Sequence, residues 1–328
     1  MFDVTSVGEL LVDFTPAGFS PEGDLLFARK AGGAPANVLS ANSKLGGKTA
    51  FIGKVGDDLF GRFLKQILKR QGIDTSGLAV DPEIPTTLAF VQLDPNGDRS
   101  FSFYRKPGAD MLLRPGDFSE NLIRESHIFH FGSVSLTEEP ARSTTFGAVA
   151  VAKKAGCIIS FDPNYRAPLW KSPDDATQQI KAGLRFADIV KVSEEEMTLI
   201  TGRTEPEEGA RILAKYGAAL ILVSLGPKGA FYYTRKHSGT IPTYDVRTVD
   251  TNGAGDAFFG AIHYCLRGKT LPQISNLSRE ELNSLISFGN AAGALTTTRP
   301  GSMPAMPTLA EIEICRSSYT FVKRKIEL

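Results

Sequence analysis

Short, almost wholly apolar runs alternate with helix-length segments along most of this chain, and that alternation limits the fold more than any other feature. Residues 127–131, 157–161, 189–192 and 219–225 read as buried strands. Between them, residues 140–155, 173–186, 194–201 and 206–216 carry helical spacing. A strand that is apolar throughout needs cover on both faces, and parallel neighbours need crossover helices. The pattern therefore predicts an α/β fold: a mostly parallel sheet between two helix layers. The same signals extend in both directions. Residues 4–12 and 49–55 read as strands, and a helix leads from Asn37 to about Leu45. Residues 60–71 form a helix closed by Gly72, and 231–234 form a further strand. Helices follow over 251–266, 279–298 and 308–315. No internal repeat or long linker divides residues 1–328, so one large domain is expected.

Two stretches break the alternation. Residues 15–31 are rich in Pro, Gly and charge, while 87–93 and 100–105 are short alternating strands joined by D-P-N-G-D, a hairpin signal. Together, about 14–31 and 86–106, they read as a small β insertion beside a ligand cleft. Such a flap is a candidate lid, and its free strand edges invite pairing with a second copy of the chain as a homodimer.

Charge and cysteine usage narrow the function classes. The chain has 328 residues with a net charge of +1, so neither nucleic acid nor an anionic membrane is an expected partner. Three cysteines lie far apart, and four histidines show no metal spacing. No apolar run approaches the ~20 residues needed to cross a bilayer. A cytoplasmic protein is expected.

The polar residues gather at the ends of the strand runs: Asp13, Gly32 and Gly33, residues 162–166, 193–196, 224–229 and 250–256. In open α/β sheets ligands bind at that edge. The densest stretch is residues 249–264, V-D-T-N-G-A-G-D-A-F-F-G-A-I-H-Y, in which Gly253, Ala254 and Gly255 precede an apolar helix. Unpaired N–H groups and the helix dipole make such a start an anion site. Asp256 lies in its first turn, where a carboxylate is either a helix cap or a base beside a phosphoryl group. Asp13, read as lying just past the strand 4–12, is placed either to accept hydrogen bonds from sugar hydroxyls or to form a turn. Paired glycines before Asn37 allow close backbone approach to a ligand. Arg105, at a strand end, reads on its own as a solvated side chain. No Walker A pattern and no G-x-G-x-x-G after a strand are present, which removes the P-loop and dinucleotide readings.

G-G-A-P-A-N with F-I-G-K-V-G-D-D-L-F-G downstream, and D-T-N-G-A-G-D-A-F some two hundred residues later, resemble the two signatures of the ribokinase-like (pfkB-type) carbohydrate kinase family. The match runs over essentially the whole chain. Within the family, G-G-A-P-A-N, F-Y-R-K-P-G-A-D-M-L-L, D-P-N-Y-R-A-P-L-W and K-V-S-E-E-E most resemble fructokinases. The resemblance implies a three-layer α/β/α sandwich with a β lid, and transfer of a phosphoryl group from ATP to fructose. It implies Asp256 as general base and Gly253, Ala254 and Gly255 as the anion hole. Asp13, Gly32, Gly33 and Asn37 would hold the sugar, with Arg105 and Arg166 reaching sugar or phosphates. Ser193, Ser224, Gly226, Gly229 and Asn290 would line the nucleotide cleft. Glu196 would order magnesium through water, and Asp250, Asn252, Thr296, Arg299 and Gly301 would surround a monovalent cation such as potassium, mostly through backbone oxygens. Ser193 stands where the family's N-x-x-E motif has Asn, a departure that fructokinase-like members often share.

Three rivals remain at this point: a 2-keto-3-deoxygluconate kinase, in which the two arginines would pair with a carboxylate; another ribokinase-like kinase, such as one for aminoimidazole riboside; and a kinase-like scaffold without activity.

Overall fold

Alternate residues of the inner strands point into two different cores, which explains their unbroken apolar runs. Ile128, Ile158, Ile189 and Leu220 join one cluster with Val38, Phe258, Phe259, Ile262 and Ile286. Their neighbours Phe129, Ile159, Val190 and Ile221 join another with Val149, Ile180, Met197 and Leu213. The sheet between these layers comes from a computed structural model, which describes residues 1–93 and 99–322. The D-P-N-G-D hairpin signal falls at 94–98, outside the described residues.

Thirteen strands are described: β1 Phe2–Val7, β2 Leu11–Phe19, β3 Leu25–Gly32, β4 Thr49–Gly56, β5 Ile73–Asp81, β6 Leu88–Leu93, β7 Arg99–Tyr104, β8 Ser126–Gly132, β9 Ile158–Asp162, β10 Ile189–Ser193, β11 Leu220–Ser224, β12 Ala230–Tyr233 and β13 Ser238–Ile241. The helices are α1 Ala34–Lys44, α2 Leu59–Arg70, α3 Asn121–Arg124, α4 Ala141–Lys154, α5 Pro173–Leu184, α6 Glu194–Thr201, α7 Pro206–Leu213, α8 Ala254–Leu266, α9 Leu271–Ser275, α10 Arg279–Thr296 and α11 Leu309–Ser318. Nine strands form one sheet in the order β13-β12-β11-β10-β9-β8-β1-β4-β5. Among the described strands of this sheet only β12 runs against the others, so that its pairings with β11 and β13 are antiparallel, at one edge. The expected fold class is the observed one, a mostly parallel sheet between helices with a small second sheet.

The strand order reverses between β1 and β8, because the chain winds outward through β4 and β5 and then returns to the other side of β1. A crevice opens at such a switch point. On one side of the large sheet α8 crosses α1 closely. A side chain at Gly260 would meet the Val38 carbonyl at 2.4 Å, so only glycine allows this approach. The crossing brings Asn37 of α1 over the start of α8.

The second sheet has the order β3-β2-β6-β7. Val12, Asp13 and Phe14 pair with Leu88, Ala89 and Phe90. One face carries Asp13 and Phe103, which both line the crevice. The other carries an aromatic row: Phe14 stacks on Phe90 at 4.9 Å, and Phe27 and Tyr104 meet Phe90 edge-on. Phe60 of α2 covers Phe14, and Arg29 lies over Phe63.

Four local expectations change. The apolar run 4–12 is two strands of different sheets, because the chain turns at Gly8, Glu9 and Leu10; Asp13 sits inside β2, not past the end of a central strand. β2 and β3 extend beyond the 15–31 stretch at both ends. β5 and β13 are strands without a strong sequence signal, both at sheet edges and partly exposed. The helix expected from 251 begins at Ala254, after Gly253 at φ +75.

Candidate active site

At the switch point lies a cleft open to solvent, lined by Asp13 and Phe103 of the small sheet, by Glu9, Asn164 and Arg166 in loops after strands of the large sheet, and by Asn37, Gly253 and Asp256 at helix starts. Its base is the N-terminus of α8. Gly253 takes the left-handed conformation that glycine tolerates, and no side chain among the described residues caps the helix. The first-turn N–H groups and the helix dipole thus meet the cleft, a setting suited to a phosphoryl group.

Asp256, in the first turn of α8, is only 7% exposed. Both of its oxygens are held. Oδ2 accepts a hydrogen bond from Asn37 Nδ2 at 2.8 Å, and Oδ1 accepts one from Asn164 Nδ2 at 3.2 Å. Asn164 adopts φ +47, which Asn tolerates better than most residues, and this turns its amide inward after β9. Burial raises the Asp256 pKa above the ordinary carboxylate value; Lys191, the Asn37 amide and Arg166 pull it back. The result is an oriented carboxylate that is a better base than a solvated aspartate.

Two further acids face the same space. Asp13 is pushed up to about 6 by burial, against the pull of Arg166 and Lys30. Glu9 is pushed up to about 7, again by burial first. Its Oε1 accepts the N–H of Ala34, the first residue of α1, at 2.8 Å, so it caps that helix from the β1–β2 turn.

Behind Asp256 lies a buried ion pair, Asp162 Oδ2 to Lys191 Nζ at 2.8 Å. Glu196 opens α6 in a capping box with Ser193, accepting the Ser193 N–H at 2.8 Å on Oε2 and the Tyr165 N–H at 2.7 Å on Oε1. Burial and the neighbouring Asp162 raise its pKa. A carboxylate so oriented, among other acids, suits outer contact with a hydrated divalent cation.

The residues expected along a nucleotide track lie at neighbouring strand ends. Ser193 and Ser224 pair across β10 and β11. Gly226 and Gly229 bound the turn that follows, where the Leu225 N–H donates to the Gly229 carbonyl. Asn290 donates from Nδ2 to the carbonyls of Ile241 and Pro242, holding the segment after β13. For the cation loop, Asp250 Oδ2 accepts the Gly301 N–H at 2.8 Å and Oδ1 accepts that of Asn252 at 2.9 Å, which joins the two expected segments. The Thr296 hydroxyl donates to the Ala292 carbonyl, and Arg299 pairs with Glu311. Their side chains are thus turned to other partners. One buried carboxylate with backbone carbonyls is a donor set that suits a hard monovalent cation.

Two expected ligand contacts lie elsewhere. Arg105 is not solvated at a strand end but 5% exposed, and it does not line the cleft. Its guanidinium is bound to Asp110 at 2.7 Å, to the Thr137 hydroxyl at 2.9 Å and to the Val134 carbonyl at 3.2 Å. Gly32 leaves room for protein and not for ligand, because a side chain there would meet Asp13 Oδ2 at 2.1 Å. Three contributors escaped the sequence reading: Glu9, Asn164 and Lys191. D-P-N-Y-R was legible as a polar loop, but the amide's target lies 92 positions away.

The chain matches the description "pfkB family carbohydrate kinase" over residues 1–309. It is 45% identical to probable fructokinase-2 of Arabidopsis thaliana over 99% of this chain and 97% of that protein. Its fold superposes on fructokinase with bound ATP from Xylella fastidiosa with a TM-score of 0.89 and 35% identity, covering 97% and 99% of the two chains. A double mutant of fructokinase from Vibrio cholerae O395, in fructose, ADP and potassium ion bound form, gives a TM-score of 0.85 at 35% identity, covering 95% and 97%.

Proposed function

The chain belongs to the pfkB family of carbohydrate kinases, and from that premise we propose that it is a fructokinase: a phosphotransferase that moves the γ-phosphoryl group of ATP onto a hydroxyl of fructose, giving fructose 6-phosphate and ADP. The observation that carries this reading is Asp256, with both oxygens fixed beside an uncapped helix N-terminus.

In this reading Asp13 and Asn37 hold the sugar hydroxyls, with Arg166 beside them. Asp256 accepts the proton of the attacking hydroxyl. A loose phosphoryl transition state needs little deprotonation before transfer, so an oriented, ionised carboxylate suffices. The N–H groups of Gly253, Ala254 and Gly255 receive the charge that builds on the phosphoryl oxygens. Ser224, Gly226 and Gly229 border the nucleotide, and Asn290 fixes the segment above it. Glu196 would hold water of a magnesium ion, which when bound offsets the charge of the triphosphate. Asp250 and the carbonyls of the 296–301 turn would hold a monovalent cation, which when bound adds positive charge beside the anion hole.

The balance of charge favours fructose over an acidic sugar. Asp13 and Asp256 line the cleft against Arg166, while Arg105, the other arginine that could bind a carboxylate, is committed to Asp110. The small sheet covers the sugar, and its aromatic face and free edges would pair two copies into a dimer. No described helix is long and apolar enough to cross a membrane.

A coupled assay of ADP release over fructose, 2-keto-3-deoxygluconate, ribose, aminoimidazole riboside and adenosine tests the assignment. Fructose should lead 2-keto-3-deoxygluconate in kcat/KM by at least about 100-fold, since buried groups arranged for hydroxyls pair poorly with a carboxylate. The reverse order would move the assignment to the acidic sugar, and no turnover of any member would leave a binding scaffold.

A further inference from the structure

A buried ammonium is costly unless it has a task or a partner, and Lys191 is placed to serve more than its partner. Its side chain is 7% exposed, at the middle of β10. Nζ donates to Asp162 Oδ2 at 2.8 Å. It also reaches the underside of the α8 start: a side-chain carbon at Gly255 would lie 3.1 Å from Nζ, with no other contact but the lysine itself. Because position 255 carries no side chain, a full positive charge sits directly behind the backbone expected to receive the phosphoryl group.

We propose that Lys191 is a positioning residue for phosphoryl transfer: its ammonium acts from behind the α8 N-terminus, adding positive charge beneath the Gly253–Gly255 amides from which Asp256 follows. This rests on the kinase reading above and deepens it. Four buried ionisable groups meet here: Asp162 of β9, Lys191 of β10, Glu196 of α6 and Asp256 of α8, with Asn37 and Asn164 closing the carboxylate of Asp256. Three are acids, and Lys191 is the cation buried among them. Burial alone would push the lysine down, but Asp162, Glu196 and Asp256 together outweigh it and hold it above its usual value, so it stays charged. Among the groups that counter the burial of Asp256, Lys191 acts most strongly. At low local dielectric a charge held this way acts on its neighbours without touching substrate.

The bland account makes Lys191 only the counter-ion that lets Asp162 be buried. A double-mutant cycle of Lys191→Met and Asp162→Asn in the full-length protein separates the two. If Lys191 serves Asp256 and the anion site, Lys191→Met lowers kcat by about 100-fold or more with KM for fructose and ATP within about three-fold, and it costs at least about 30-fold again when added to Asp162→Asn. If it serves Asp162 alone, the second lysine substitution changes kcat less than about three-fold, and the proposal falls. The double variant removes both charges of the pair together, so the comparison survives a single variant that does not fold. Wild-type turnover of fructose in the same assay tests the kinase reading independently of the cycle.

Discussion

The two sheets of this protein bury their residues in opposite ways. In the large sheet Val190, Val192, Ile221 and Val223 are all 0% exposed, and even its charged groups, Asp162 at the end of β9 and Lys191 in the middle of β10, are sealed. The small sheet keeps one face against the cleft, while Phe27 is 39% exposed and Tyr104 is 67% exposed on the other. Groups that must not move are built on strands packed from both sides. The small sheet, proposed above as a cover for the sugar, has one dry face, and its stability depends on what else it meets. The difference predicts that damage to the large sheet's edge appears in kcat and damage to the small sheet in KM.

The largest expected effect is at the floor. Asp256→Asn should lower kcat by roughly 10²- to 10⁴-fold while the fructose KM stays within a few-fold, since the carboxylate acts mainly in the transition state. Turnover near that of the wild type in steady-state assays would remove Asp256 from the mechanism and break the comparison there.

Glu9 lies at the joint between the sheets, and its effect is one of stability. Its carboxyl keeps the proton up to about pH 7 in the folded protein, whereas the unfolded chain releases it near 4.5. The folded state then binds more protons between those values, so this group's contribution falls as pH rises through the window. Glu9→Gln abolishes the change, and wild type should lose about 3 kcal/mol relative to the variant between the two limits. Urea titrations at both ends measure it; a difference independent of pH would show that the joint is not sealed.

The smallest effect belongs to the cover. Phe27→Glu combined with Tyr104→Glu charges the aromatic face, and should raise the fructose KM by about ten-fold with kcat within about three-fold. Sedimentation at micromolar concentration should show a dimer for the wild type and a monomer for the variant. A monomeric wild type, or a monomeric variant with unchanged KM, would separate the cover from assembly.

Legibility in the sequence follows the same division. Strands packed on both faces announce themselves as apolar runs, which is why β8 to β11 and the helices between them are readable from residue type alone. S-E-E-E at 193–196 is readable as a helix start because the capping box is local. β5, as I-D-T-S-G-L-A-V-D, and β13, as S-G-T-I, pair at sheet edges, where backbone hydrogen bonds and not apolar periodicity hold them. The turn at Gly8 to Leu10 is hidden within an apolar run that serves two sheets. Of the site, Asp256 and its glycines declare themselves as a motif, whereas Lys191 looks like any strand lysine. Its partners come from β9, α6 and α8, and no spacing encodes that meeting.

Asp256 is gripped by one amide 219 positions before it and another 92 positions before it. During synthesis, then, most of the polypeptide must leave the ribosome before the base can be seated. Domains generally fold as units, so a chain that has emerged only as far as the small sheet holds Asp13 and Asn37, proposed to face the sugar, but lacks the proposed base. The nascent chain is thereby unable to spend ATP until its long-range wiring is complete. Recovery of turnover after refolding should accordingly lag behind the return of secondary structure.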